Sequence, residues 1–184
     1  MKRKTIKELI APSGIDASKI DHLEIISNVK RYARSFFVST LPRMCTFPEL
    51  FRDLYFFGDI NTSIYITPIS EARSQNELNK TINELETERI VAADRGRINR
   101  ESTLTQKRLE AEQLRDEIAA GFNKMYEASV ISTLFTYNME DMERLTKLLA
   151  TEMSKSLVGI RSAWAIQEEA FKSNLPFMDD QIGK

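Results

Sequence analysis

The feature that most limits the fold is a long helical stretch set between two runs that alternate like strands. From residue 70 to 127 the chain is dense in Glu, Lys, Arg, Gln and Leu and has no alternating apolar run, a composition that favours helix over strand. Ser74 with Glu77 and Thr103 with Gln106 read as capping boxes. Leu78, Ile82, Leu85 and Ala92 fall on one stripe after the first box, and Ala111, Leu114, Ile118, Phe122 and Met125 on another after the second. Two helices are expected, with a turn at Asp94-Arg95-Gly96-Arg97. The apolar spacing approaches a period of about 3.5, so the helices can pack as an antiparallel hairpin. Such a hairpin either projects as an arm or folds back to cover an apolar sheet face, and the sequence is compatible with both.

The flanks repeat one order of elements. In the first, residues 31–69, Ala33 to Leu41 carries Phe36, Phe37 and Val38 and reads as a strand with apolar side chains on both faces. Thr46 and Glu49 form a capping box, and Phe47, Leu50, Phe51, Leu54 and Tyr55 then follow helical spacing up to Gly58. Thr62 to Thr67 alternates Ile64 and Ile66 against Ser63, Tyr65 and Thr67 before Pro68, as a half-buried strand does. In the second flank, residues 128–162, Ser129 to Tyr137 alternates, Asn138 caps a helix bearing Met142, Leu145, Leu149 and Met153, and Leu157 to Ile160 reads as a strand. Two βαβ units give an α+β, ferredoxin-like expectation: an antiparallel four-stranded sheet, both helices on one face, and a helical hairpin inserted between the units. Residues 1–30 read as a leader, opening on the basic amphipathic stretch Met1 to Ile10, which suits either solvent or an anionic membrane surface. A further edge strand around His22 to Ile26 or Val29 to Arg31 stays open. Residues 163–184 read as a helix and linker, on which Trp164 and Phe171 lie about two turns apart as candidate contacts or core residues.

The composition narrows the chemistry. Lys and Arg number 26 against 27 Asp and Glu, a net charge of −1, so no overall field draws in a polyanion. The single Cys45 excludes an intramolecular disulfide, no apolar run reaches the roughly 18 residues of a membrane span, and no secretory signal follows Met1. A cytoplasmic location is expected. A phosphate-binding G-x-x-x-x-G-K-[ST] loop is absent, and the terminal Gly183-Lys184 has Met178 where the first glycine belongs. One histidine, His22, and one cysteine do not make a zinc site. Cys45 lacks a histidine partner for thiolate chemistry, and His22 beside Asp21 and Glu24 reads as an exposed side chain without a role. No catalytic, metal or cofactor residue is assigned. Arg89, Arg95, Arg97 and Arg100 gather at the hairpin tip, where Arg95 and Arg97 are candidates to meet an anionic partner. Phe36 and Phe37 after Arg34-Ser35 suggest the stacking strand of an RNA-recognition module, so a free-standing nucleic-acid-binding domain is the alternative reading, although the glycines of that motif are missing.

Leu41-Pro42-Arg43, the run Asp59 to Pro68, and Phe171-Lys172-Ser173-Asn174-Leu175-Pro176 together resemble the N-terminal region of the large TraC/TrsE-like conjugative-transfer ATPases of type IV secretion systems. The order of parts matches over nearly the whole chain: strand-helix-strand, helical insertion, strand-helix-strand, then an apolar-x-Ser-x-Leu-Pro stretch. The resemblance implies a non-catalytic docking and oligomerisation domain that precedes a hexameric or dimeric motor, peripheral to the cytoplasmic face of the cell membrane. Its implied partners are channel proteins and its own subunits, met in part through Arg95, Arg97, Trp164 and Phe171. Walker motifs are expected downstream of Lys184, and direct binding of nucleic acid is not.

Overall fold

The computed structural model describes residues 12–42, 50–52, 54, 57–177 and 179–182. The expected leader helix at Met1 to Ile10, Cys45 and the Thr46 capping box lie outside them. Among the described residues the fold is α+β, with a six-stranded antiparallel sheet and four helices. In chain order these are β1 (Gly14–Asp16), β2 (Leu23–Ile26), β3 (Arg31–Thr40), β4 (Ile60–Pro68), α1 (Glu71–Asp94), α2 (Ile98–Ala119), β5 (Tyr126–Thr136), α3 (Met139–Lys155), β6 (Gly159–Ser162) and α4 (Gln167–Ser173). They divide into a sheet unit within Met1–Tyr65 and Ser129–Lys184 and a hairpin unit, Ile66–Ala128.

The sheet is organised around β3. Tyr32 and Ala33 pair with β5 on one side and with β2 on the other, while Phe36 and Phe37 pair with β5 and, opposite, with β6. Thus β2 and β6 share one edge of β3 in succession, and the order across the sheet is β1-β2-β3-β5-β4. Antiparallel pairing of β4 with β5 follows from the Phe135 N–H bond to Asp59 O (2.9 Å) and from Thr62 Oγ1 opposite Ser132 Oγ (3.0 Å). The expected sheet of four strands is corrected to six: β1 and β2 are only three and four residues long, too short for an apolar period, yet Leu23 is buried.

One sheet face carries Phe36, Val130 and Leu134, which pack with Met142, Leu149 and Met153 of α3, with Val158 and with Leu54. Burial of each such side chain is worth about 1.5–3 kcal/mol, and this cluster is the main core. α3 begins where Asn138 Oδ1 accepts from Asp141 N (2.7 Å), as its sequence predicts. It ends with Leu157 in the left-handed region (φ 57°), where Val158 N–H bonds Met153 O (3.1 Å). β6 consequently starts at Gly159, two residues after the expected position, and Leu157 faces solvent.

The opposite face carries Ile131 with Ala163 and Ala170, joined by Phe37 and Tyr65. Here the expected alternation of β4 is inverted. Tyr65 donates its hydroxyl to Ser173 O and Ser63 bonds Asn174 Oδ1 (2.7 Å), so these two residues are half-buried, while Ile64 and Ile66 between and after them are exposed. Hydrophobicity pointed Ile64 and Ile66 inward, but α4 and the segment after it cover the other face.

In the hairpin unit, α1 is capped by Ser70, whose Oγ accepts from Arg73 N (3.4 Å), and α2 starts at Ile98 without a side-chain cap. Both expected capping boxes are therefore corrected. Ser74 lies buried inside α1, and Thr103 Oγ1 bonds back to Asn99 O (3.0 Å) within α2. The turn falls where expected: Gly96 (φ 66°) donates to Ala93 O and Arg97 N to Ala92 O, both 2.9 Å. Leu78, Ile82 and Ala92 of α1 and Leu104 and Ile118 of α2 are buried as the helices pack on each other. Cross-helix pairs Arg89–Glu101 (3.3 Å), Arg100–Glu88 (3.3 Å) and Arg108–Glu86 (3.5 Å) lie in antiparallel register. Phe122, expected on the stripe, is 87% exposed, because Gly121 (φ 76°) has already turned the chain out of α2.

Candidate partner-binding surfaces

Two groups of charged side chains stand out, one in each unit. In the hairpin unit, Arg95 closes α1 and Arg97 is the residue before α2, both exposed. With Thr87, Glu88, Val91, Ala92 and Arg100 they line a cavity of about 150 Å³. The turn chemistry of Gly96 is what sets the two arginines on either side of one bend. Both are candidate contacts from the sequence, and both line this one cavity.

In the sheet unit Arg34 lies mid-strand on β3 and is 5% exposed. Its Nε donates to Asp21 O (3.0 Å), Nη1 to Thr146 Oγ1 (3.2 Å), and Nη2 to both Asp21 Oδ2 and Glu143 Oε1 (2.7 Å each). Asp21 also meets His22 Nδ1 (2.8 Å), and the His22 ring stands edge-on to Tyr32 at 5.7 Å. His22 is thus buried and partnered, which corrects its reading as an exposed side chain. Burial works to raise the Asp21 pKa, but the hydrogen bonds and charges of His22 and Arg34 outweigh it and hold the carboxyl below its ordinary value. The sequence signal for this cluster is Arg34 itself: a cation among Ala33, Ser35 and Phe36 of a central strand must find a carboxylate.

Nearby, Arg31 pairs with Asp59, and its guanidinium lies over the rings of Phe135 (5.1 Å) and Tyr137 (5.3 Å). Behind the sheet a polar seam joins β3 and β5 to α4. Ser35 N donates to Gln167 Oε1 (2.8 Å), Ser35 Oγ meets Thr133 Oγ1 (2.9 Å), and Asn174 Nδ2 donates to Thr133 Oγ1 (3.0 Å) and Asn61 O (2.7 Å). These groups satisfy one another and fix the register of α4 on the sheet.

The candidate contacts Trp164 and Phe171 separate. Trp164 is 65% exposed, but it precedes α4 instead of riding on it: Ala163 N–H still bonds Ser35 O (2.9 Å) and Ala165 has φ 62°, so the helix cannot begin before Gln167. Phe171 is half-buried on α4, its ring edge-on to Phe135 at 6.4 Å. Phe36 is buried in the main core and Phe37 is half-buried on the α4 side. Among the described residues no three His, Cys, Asp or Glu side chains gather as a metal site, and no helix is long and apolar enough to cross a membrane. No protein-family model matches the chain, and no curated protein sequence matches it.

Proposed function

We propose that this chain is the docking and oligomerisation module of a type IV secretion ATPase of the TraC/TrsE-like class, acting at the cytoplasmic face of the membrane and doing no chemistry itself. The path β6-β3-β5-β4, with α3 between β5 and β6, supports the finer reading of the sheet as a ferredoxin-like pair of βαβ units. The observation that carries the functional reading is the self-paired α1–α2 hairpin inserted between β4 and β5, with exposed Ile98 at its turn and two arginines there that have no carboxylate at ion-pair distance among the described residues. A hairpin that buries its own seam leaves those outward side chains for other molecules. The run Phe171 to Pro176 follows in the order the resemblance requires, with Phe171 to Ser173 on α4.

Two measurements test the proposal. The coding sequence downstream of codon 184 is expected to hold a G-x-x-x-x-G-K-[ST] motif after a strand, and a stop codon there removes the ATPase reading. Purified chain is expected to co-elute with conjugative channel components or to self-associate, without ATP turnover. A monomer that binds none of them sinks the docking reading.

A further inference from the structure

The arginines of the hairpin fall into two groups. Arg73 pairs with Glu77 (2.9 Å), Arg89 with Glu86 (2.8 Å), Arg100 with Glu88 (3.3 Å), Arg108 with Glu112 (2.5 Å) and Arg115 with Asp116 (2.9 Å). Arg95 and Arg97 are the hairpin arginines without a carboxylate at ion-pair distance among the described residues. Carboxylates are not scarce there, since Glu88, Asp94 and Glu101 lie within the same bend of sequence. Both exposed guanidinium groups line a cavity shared with Val91 and Ala92, and with Thr87, Arg100 and Glu88, whose carboxylate is already paired with Arg100.

The size of that cavity decides what fits. At about 150 Å³ it falls below the 300 Å³ or so at which small-molecule sites begin. Its volume is on the scale of one apolar side chain. Charge decides the rest. Between residues 88 and 101 four arginines are interleaved with three carboxylates, so a lipid or nucleic-acid surface, which responds to charge summed over a face, gains little. A peptide is read position by position, and the planar fork of arginine matches a carboxylate bidentately.

The geometry points to the hairpin tip as the receptor for an acidic segment of a partner protein, its carboxylates on Arg95 and Arg97 and one apolar side chain against Val91 and Ala92. This names the partner chemistry of the docking surface and rests on the docking reading.

The test uses the whole chain with synthetic peptides in which Asp and Glu flank a single Leu, against the same peptides with Asn and Gln, followed by fluorescence anisotropy. Vesicles of phosphatidylcholine with phosphatidylglycerol form a third arm. The acidic peptide is expected to bind and the amide peptide and vesicles not to. The double variant Arg95→Gln/Arg97→Gln is expected to lose at least about tenfold in affinity, the scale of one lost charge-assisted contact. Both side chains are exposed, so its melting should match the wild type, and Val91→Glu, also at an exposed position, gives an independent loss. Equal binding of the amide peptide, wild-type affinity in the double variant, binding to vesicles but not peptide, or no binding in any arm overturns the proposal. Capture of channel components separates the two readings: if the wild type and the double variant both capture them equally, docking stands and the tip falls. If the wild type captures none, the docking reading falls while the peptide arms still judge the tip.

Discussion

Replacing Arg34 by methionine keeps the aliphatic stem of the side chain and removes its charge, which isolates what the cluster around it contributes. The guanidinium is buried, and its best partner, Asp21 at 2.7 Å, is about two-thirds shielded from solvent. A hydrogen bond of that charged kind contributes about 1.5–3 kcal/mol. The second pair, with Glu143 at 2.7 Å, has a partner more than half exposed, so screening reduces it to about 0–1 kcal/mol. The loss should total about 1.5–4 kcal/mol, a fall in melting temperature of roughly 3–16 °C for a chain of this size. Trp164 is the chain's one tryptophan and belongs to the sheet unit, so its fluorescence follows the relevant transition. Asp21→Asn and the double variant complete a cycle whose coupling should be about 1–2 kcal/mol. The pH dependence has a definite sign. The Asp21 pKa is lowered in the fold, so its contribution is complete above the ordinary carboxylate range and is lost as pH falls through the folded pKa. The gap between wild type and Arg34→Met should therefore close at acid pH. A variant melting within about 2 °C of wild type at neutral pH, less than 1 kcal/mol here, refutes the assignment of β3 anchoring to Arg34.

Three further substitutions test other parts of the fold. Leu149→Ala removes a fully buried side chain of α3 from the main core and should cost about 2–5 kcal/mol in denaturant unfolding. Gly96→Ala meets no atom within 4 Å but is held at φ 66°, so it should weaken the hairpin by about 1–2 kcal/mol, read by the helical circular dichroism of thermal melts. Leu157→Gly should raise the melting temperature of the sheet unit: relief of the left-handed backbone at an exposed side chain is worth about 1–2 kcal/mol, more than the roughly 0.5–1 kcal/mol of added unfolded-state entropy.

What could be read from the sequence follows the reach of each interaction. α3 was legible because its cap is three residues from its partner and its apolar positions repeat on one face, so Asn138, Met142, Leu149 and Met153 all do what their spacing says. The turn at Gly96 was legible for the same reason. β4 was not, because the side of a strand that is buried depends on what covers it, and α4 arrives from more than a hundred residues away to hold Ser63 and Tyr65. Trp164 was misplaced by the same kind of distance effect, its neighbour Ala163 still hydrogen-bonded to β3.

Polarity was the harder signal. Ser35, Thr133, Gln167 and Asn174 each look like surface residues or tolerated polar substitutions in an apolar run, and only together do they become a satisfied seam. Arg34 was more informative than it looked, since a cation in a central strand carries an obligation to find a carboxylate, and Asp21 and Glu143 meet it from opposite directions in sequence. The hairpin reverses that logic. In α1 and α2 a charged composition reads as a solvated surface, yet arginines there are tied to glutamates within and across the helices. Against that background an unpaired arginine is the exception, and Arg95 and Arg97 become distinctive only once the pairing of their neighbours is known.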